Sequence, residues 1–135
     1  MAGYSSRTLS DKLGIKPGTA VILLGGPPDY AAMLGELPPG ATIRTRLPAE
    51  ARFIHQFVRR RTDLADAFPR AARVLADDGM LWISWPKKAS KLPTDLTEDV
   101  VRAIGLPLGL VDVKVCAVND TWSGLKFVRR KELRG

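Results

Sequence analysis

The chain has 135 residues, 45% of them hydrophobic, which suits one domain with a core of its own. No stretch reaches the roughly 18 apolar residues of a membrane span, and "MAGYSSRTLSDKLG" has neither the basic start nor the apolar run of a secretory signal, so a soluble cytoplasmic protein is expected. A single cysteine, Cys116, and a single histidine, His55, exclude an internal disulfide and the His/Cys spacing of a zinc site.

Taken in order, "TLSDKLGI" predicts a short amphipathic helix with Leu9 and Leu13 on one side, ended by Gly14 and "KPG". "TAVILLGG" is a continuous apolar run bounded by glycines, as in a strand buried on both faces of a parallel sheet. "DYAAMLGEL" reads as a helix stopped by "PPG", "ATIRTRL" and "RFIHQFV" as strands, and "RTDLADAFPRAARVL" as a helix entered at Thr62 with Leu64, Phe68, Ala71, Ala72 and Leu75 toward the sheet. "DDG" closes that helix and "MLWISW" is the next strand. "TDLTEDVVRAIG" is a helix ended by Gly105 and Pro107, and "LVDVKVCAV" and "LKFVRRK" are strands joined by the turn "NDTWSG". Strands alternating with helices and closing in two successive strands imply a three-layer, Rossmann-like α/β sheet, mostly parallel, with a C-terminal antiparallel hairpin. One domain over residues 1–135 is expected, with an N-terminal helical segment at 1–16 and a core at 17–130.

The order of elements resembles the class I S-adenosylmethionine-dependent methyltransferases. "RFIHQFV" is similar to that family's fourth strand, "AARVLADDGMLWIS" to the helix, glycine turn and fifth strand that follow, and "LGLVDVKVCAVNDTWSGLKFVRR" to its closing hairpin. Between "ATIRTRL" and "RFIHQFV" only a few linking residues stand where the family has another helix and strand, so the resemblance is to a truncated, degenerate member. More closely, "KLGIKPG", "SWPKKASKLPTDLTEDVV" and the hairpin resemble a family of small bacterial proteins known as a domain of unknown function, which implies no activity.

The methyltransferase resemblance implies a glycine-rich turn after the first strand, where the backbone approaches the cofactor, and an acid ending the second strand that binds the ribose hydroxyls. Gly25 and Gly26 fit the turn, but Pro27 and Pro28 remove amide donors from it. Arg44 and Arg46 stand where the acid belongs, and a guanidinium accepts no hydrogen bond. No cofactor is therefore expected, and a fold that kept its shape without methyl transfer is the leading expectation; the alternatives are an active methyltransferase and a weak, non-specific nucleic-acid-binding or scaffold protein.

The net charge of +7 is unevenly spread: residues 41–73 carry +5, residues 119–135 carry +3, and residues 74–118 come to −1. Such clustering favours an anionic partner, against the plain alternative of a solvated basic surface. The stretch "WISWPKKASKLPTDLTEDV" concentrates the candidates. Trp85 ends a strand, Lys87, Lys88 and Lys91 lie between Pro86 and Pro93, and Thr94 or Asp95 caps the following helix. Ligands of open α/β sheets bind at this carboxyl edge. The expected site is Trp85 as an aromatic surface, Lys87, Lys88, Lys91 and Thr94, joined by Arg44 and Arg46. The alternative is a connector whose lysines are balanced by Asp95, Glu98 and Asp99. An anionic small molecule or a protein is the expected partner, and nucleic acid, through Arg59–Arg61 and the basic tail, only a weak one, because aromatic interleaving is missing. His55 reads as a core or edge histidine rather than a base, and Cys116 as a small filler on a central strand rather than an activated thiol. Trp122, at a hairpin tip, is either tucked over the sheet edge or offered to a partner.

Overall fold

The computed structural model describes residues 8–135, so part of the expected N-terminal segment, residues 1–7, lies outside the described residues. Four helices, α1 (Leu9–Leu13), α2 (Tyr30–Leu34), α3 (Arg61–Val74) and α4 (Glu98–Gly105), accompany strands β1 (Ala20–Leu24), β2 (Thr42–Arg44), β3 (Ala51–Phe57), β4 (Leu75–Pro86), β5 (Leu110–Ala117) and β6 (Trp122–Arg129). The strands form one six-stranded sheet in the order β2-β1-β3-β4-β6-β5. β2, β1, β3 and β4 run parallel, and β6 enters antiparallel between β4 and β5. The expected mostly parallel sheet with a closing antiparallel hairpin is the observed one.

Both faces of the inner strands are covered, which explains their apolar sequences. In β4, Leu81, Ile83 and Trp85 join one core with Leu64 and Phe68 of α3 and Val101 of α4. Trp82, one step out of phase, joins the opposite core with Leu13 of α1 and Tyr30 and Leu34 of α2. Trp82 Nε1 donates to Leu13 O at 2.9 Å, pinning α1 to the sheet.

Several boundaries differ from expectation. β4 begins at Leu75, directly after α3, so "ADDG" belongs to an irregular strand start, with a register shift against Ala51/Phe53, and not to a turn. β6 begins at Trp122, which pairs with Pro86; the turn before it is closed by Asn119 Oδ1, which accepts from the amides of Thr121 and Trp122 at 2.9 Å. α3 starts at Arg61 rather than Thr62. α4 starts at Glu98, and its N-cap is Thr97, whose hydroxyl accepts from Val100 N, rather than Thr94 or Asp95. Those two residues serve the other helix. Asp95 Oδ1 accepts from Arg61 N at 2.7 Å, and the Thr94 hydroxyl donates to Arg59 O at 2.6 Å and accepts from Leu96 N. With Leu96 buried in the core, residues 92–97 form a strap across the start of α3.

Candidate functional site at the carboxyl end of the sheet

Strand order reverses between β1 and β3, and open α/β sheets bind ligands in the crevice such a reversal leaves at the carboxyl ends. A cleft of about 400 Å³ lies there, lined by Gly25 after β1, Gln56 and Phe57 of β3, Arg59 beyond it, Asp63 of α3 and Trp122 of β6. Gly25 has φ +65°, and a Cβ there would stand 2.7 Å from Phe57 O, so only glycine lets the β1 turn close against the end of β3.

An aromatic cluster supports the cleft from one face. Phe57 stacks on His55 at 4.3 Å and meets Trp122 edge-to-face at 5.0 Å. His55 itself is 0% exposed. Its Nδ1 pairs with the Tyr30 hydroxyl at 2.9 Å and its Nε2 with the Ser84 hydroxyl at 2.7 Å, so both ring nitrogens are satisfied. Burial pushes the imidazole down to about 3, leaving it neutral at physiological pH, and pushes the Tyr30 phenol up. The core reading of His55 holds; its partners Tyr30 and Ser84 were not anticipated. Cys116 is buried beside Val118 on the same side of the sheet, as a filler would be, but on β5, which ends the sheet, rather than on a central strand.

The expected site residues divide into groups. Trp85 is 5% exposed, its ring enclosed in the core under α3 and α4, which corrects the expectation that it offers a surface for stacking. Trp122 is the tryptophan that reaches the cleft. Thr94 spends its hydroxyl on Arg59 and Leu96. Arg44 lines a separate cleft of about 250 Å³ with Glu50 and Arg52, and Arg46 lies beyond the end of β2. Since β1 and β3 stand between β2 and β4, Arg44 is laterally some three strand spacings, roughly 14 Å, from the lysine loop. Arg44 and Arg46 therefore do not join Lys87, Lys88 and Lys91.

The lysines find other company. Lys87 N donates to Thr121 O at 2.8 Å, which seats the loop beside Trp122. The strap's bonds to Arg59 and Arg61 bring Arg59, Arg60 and Arg61 to the same end of the sheet. The carboxylates expected to balance the lysines are engaged elsewhere: Asp95 with Arg61 N, and Glu98 and Asp99 with Arg102 at 2.6 and 3.0 Å. Arg102 also pairs with Asp112 of β5 at 3.0 Å, tying α4 to the hairpin. At the far end of β4, Arg129 donates to Leu75 O and pairs with Asp77, so the basic tail is separated from Arg59–Arg61 by most of the sheet.

No protein-family model matches the chain, and no curated protein matches it in sequence. Solved structures do match in shape. A SAM-dependent methyltransferase from Aquifex aeolicus superposes with a TM-score of 0.61 at 17% identity, covering 87% of this chain and 85% of the other. A ribosomal protein L11 methylase from Lactobacillus delbrueckii subsp. bulgaricus gives 0.60 at 11%, covering 90% and 75%. Magnesium protoporphyrin IX methyltransferase from Synechocystis PCC 6803, with bound SAM, gives 0.58 at 14%, covering 90% and 74%.

The fold is that of the SAM-dependent methyltransferases.

Within that methyltransferase fold, three local features bear on whether the cofactor is accommodated. The turn after β1 continues into Pro27 and Pro28, which carry no amide hydrogen, and Pro27 O is already bound by Tyr30 N at 3.1 Å. β2 ends at Arg44, followed by Thr45 and Arg46, so its end offers cations where an acceptor for ribose hydroxyls is needed. Among the described residues no strand lies beyond β2, so the sheet has no further wall on that side.

Proposed function

We propose that this chain is a methyltransferase-fold domain that does not transfer methyl groups and instead holds an anionic ligand at the carboxyl end of its sheet. One observation carries this reading. The strap brings Arg59, Arg60 and Arg61 to the end of the sheet that bears Lys87, Lys88 and Lys91, and none of these side chains forms an ion pair among the described residues. Clustered cations without counter-charges raise the local potential and attract anions. The mismatch of Pro27, Pro28 and the Arg44 end of β2 with the cofactor supports the loss of methyl transfer. The separation of the basic tail from Arg59–Arg61 supports weak, salt-sensitive retention of duplex nucleic acid at most.

Calorimetric titration tests the first half: S-adenosylmethionine and S-adenosylhomocysteine are expected to bind no tighter than about millimolar, roughly −4 kcal/mol, and a micromolar constant would overturn it. Thermal unfolding in phosphate or sulfate against chloride, at matched ionic strength, tests the second. A ligand that binds only the native state raises stability by mass action, about 2.7 kcal/mol at a hundredfold excess over its dissociation constant. The unmodified chain should respond, and the Lys87→Ala, Lys88→Ala, Lys91→Ala triple variant should not. A flat response of the unmodified chain across anions sinks the anion site.

A further inference from the structure

The cleft between β1 and β3 carries recognition groups that a bare anion does not use. Gln56 lines it and is only 8% exposed. Its Nε2 donates to Leu24 O at 3.3 Å and to Phe57 O at 3.2 Å. Both partners are carbonyl oxygens, so the nitrogen must be the atom facing them, and Oε1 is left as the free end of the amide. No donor among the described residues reaches Oε1. A buried acceptor without a donor is costly, and buried amide oxygens in folded proteins nearly always have one. The missing donor points to a ligand.

The surroundings specify that ligand. Asp63, in the first turn of α3, lines the same cleft and forms no ion pair among the described residues, whereas Asp66 beside it is held by Arg70 at 3.0 Å. Gln56 Oε1 and Asp63 together present acceptors only, which suit N–H donors and repel a free phosphate. Trp122, half-buried against Phe57, supplies an apolar wall. Arg59 lines the cleft, and the Lys87 amide is bound to Thr121 O, next to Trp122. A flat, N–H-bearing ring attached to an anionic group meets all of these at once. The volume of about 400 Å³ lies within the range of small-molecule sites.

Resting on the anion reading above, we propose that the anion is the phosphate of a nucleotide whose amino-bearing base enters this cleft. The base donates to Gln56 Oε1 and Asp63 and lies against Trp122, and the phosphate meets Arg59 and Lys87 at the rim. A free nucleotide and a nucleotide within a single strand offer the same chemistry.

The test titrates the full chain at low ionic strength with GMP, AMP, UMP and guanosine, followed by calorimetry and by tryptophan fluorescence, for which Trp122 is the cleft reporter. GMP and AMP should bind, UMP at least about tenfold more weakly because it lacks the amino group, and guanosine more weakly than GMP. Asp63→Asn should weaken GMP roughly tenfold without lowering the unfolding temperature, and Lys87→Ala should weaken GMP but not guanosine. A short single-stranded oligonucleotide ending in guanosine distinguishes the sources: tighter binding than GMP assigns the site to a strand, equal binding to the free nucleotide, and both support the proposal. Equal affinity for UMP and GMP, or an Asp63→Asn variant that binds GMP unchanged, overturns it. If phosphate stabilises the chain but no nucleotide binds, the nucleotide proposal fails and the anion site stands; if neither acts, both fail. Micromolar S-adenosylmethionine binding refutes only the loss of the cofactor.

Discussion

Replacing Asp95 with alanine removes the contact by which one helix's leader serves another helix. Asp95 Oδ1 accepts from Arg61 N at 2.7 Å, and the N-cap of α3, Arg60, provides no side-chain acceptor of its own. The first amides of a helix have no intrahelical partner, and a carboxylate there also meets the positive end of the helix dipole. Loss of such a cap costs about 1 kcal/mol, with 2 as an upper figure where the cap is well ordered. For a chain of this size 1 kcal/mol lowers the unfolding temperature by roughly 3–6 °C. Asp95→Asn keeps an acceptor oxygen and should recover most of the loss. The location of the effect matters more than its size. Amide hydrogen exchange in Asp95→Ala should accelerate at Arg61 and leave Val100 unchanged, because Val100 N is held by Thr97. Thr97→Ala should give the mirror image. Exchange at Arg61 unaltered by Asp95→Ala, or acceleration at Val100 instead, would mean that Asp95 caps α4 and that the strap does not hold Arg59–Arg61 against the lysine loop.

His55 should give the chain an acid-sensitive stability. The folded pKa of about 3 lies below the ordinary 6.5, so between those values the unfolded chain takes up a proton that the folded chain refuses; stability should fall by up to about 1.4 kcal/mol per pH unit as pH drops below about 6.5. Chemical denaturation from pH 7 to pH 4 should show that slope in the unmodified chain and lose it in His55→Gln, which should also be less stable at pH 7 by about 1–3 kcal/mol through imperfect satisfaction of Tyr30 and Ser84; a pH-independent difference between the two would refute the assignment. Gly25→Ala should cost at least about 2 kcal/mol in denaturant unfolding, from φ +65° and the 2.7 Å approach to Phe57 O, and an unchanged midpoint would show that the β1 turn is not held against β3 as described.

The strands were legible because their signals are local. The continuous apolar run at β1 and the nearly continuous one in "MLWISW" follow from a sheet covered on both faces. That same logic already argued against Trp85 as an exposed ring, since both faces of such a strand are buried. The caps were legible as caps but not in their assignment: Thr94, Asp95 and Thr97 all have the right chemistry, and only the path of the strap decides that two of them serve α3. The balance of Lys87, Lys88 and Lys91 by Asp95, Glu98 and Asp99 failed for a related reason. Arg102, at i+4 from Glu98 and i+3 from Asp99, is the nearer cation on the helix surface, and helical spacing favours it. Gln56 carried a signal that was passed over. In "FIHQFV" two polar residues interrupt an apolar strand, and the one nearest its carboxyl end, paired with Leu24 just before the Gly25 turn, is the one whose amide oxygen has no donor among the described residues.

The shortened middle of the chain links the truncated sheet to the position of the candidate site. Among the described residues β2 is an outer strand of three residues, and its free edge is short and flanked by Pro39 and Pro48, which limits its use as a template for further pairing. The cations at the end of β2 lie apart from the lysine loop, beside a separate cleft of about 250 Å³. The larger cleft, of about 400 Å³, lies at the reversal itself, where β1, β3, the start of α3 and Trp122 of the hairpin converge. There the strap contributes twice, by capping α3 and by setting Arg59–Arg61 beside the loop that follows β4. On the reading proposed above, a chain without the outer part of this fold takes its ligand at the β1/β3 crevice. The groups standing there are an amide oxygen without a donor among the described residues, a carboxylate and an aromatic wall.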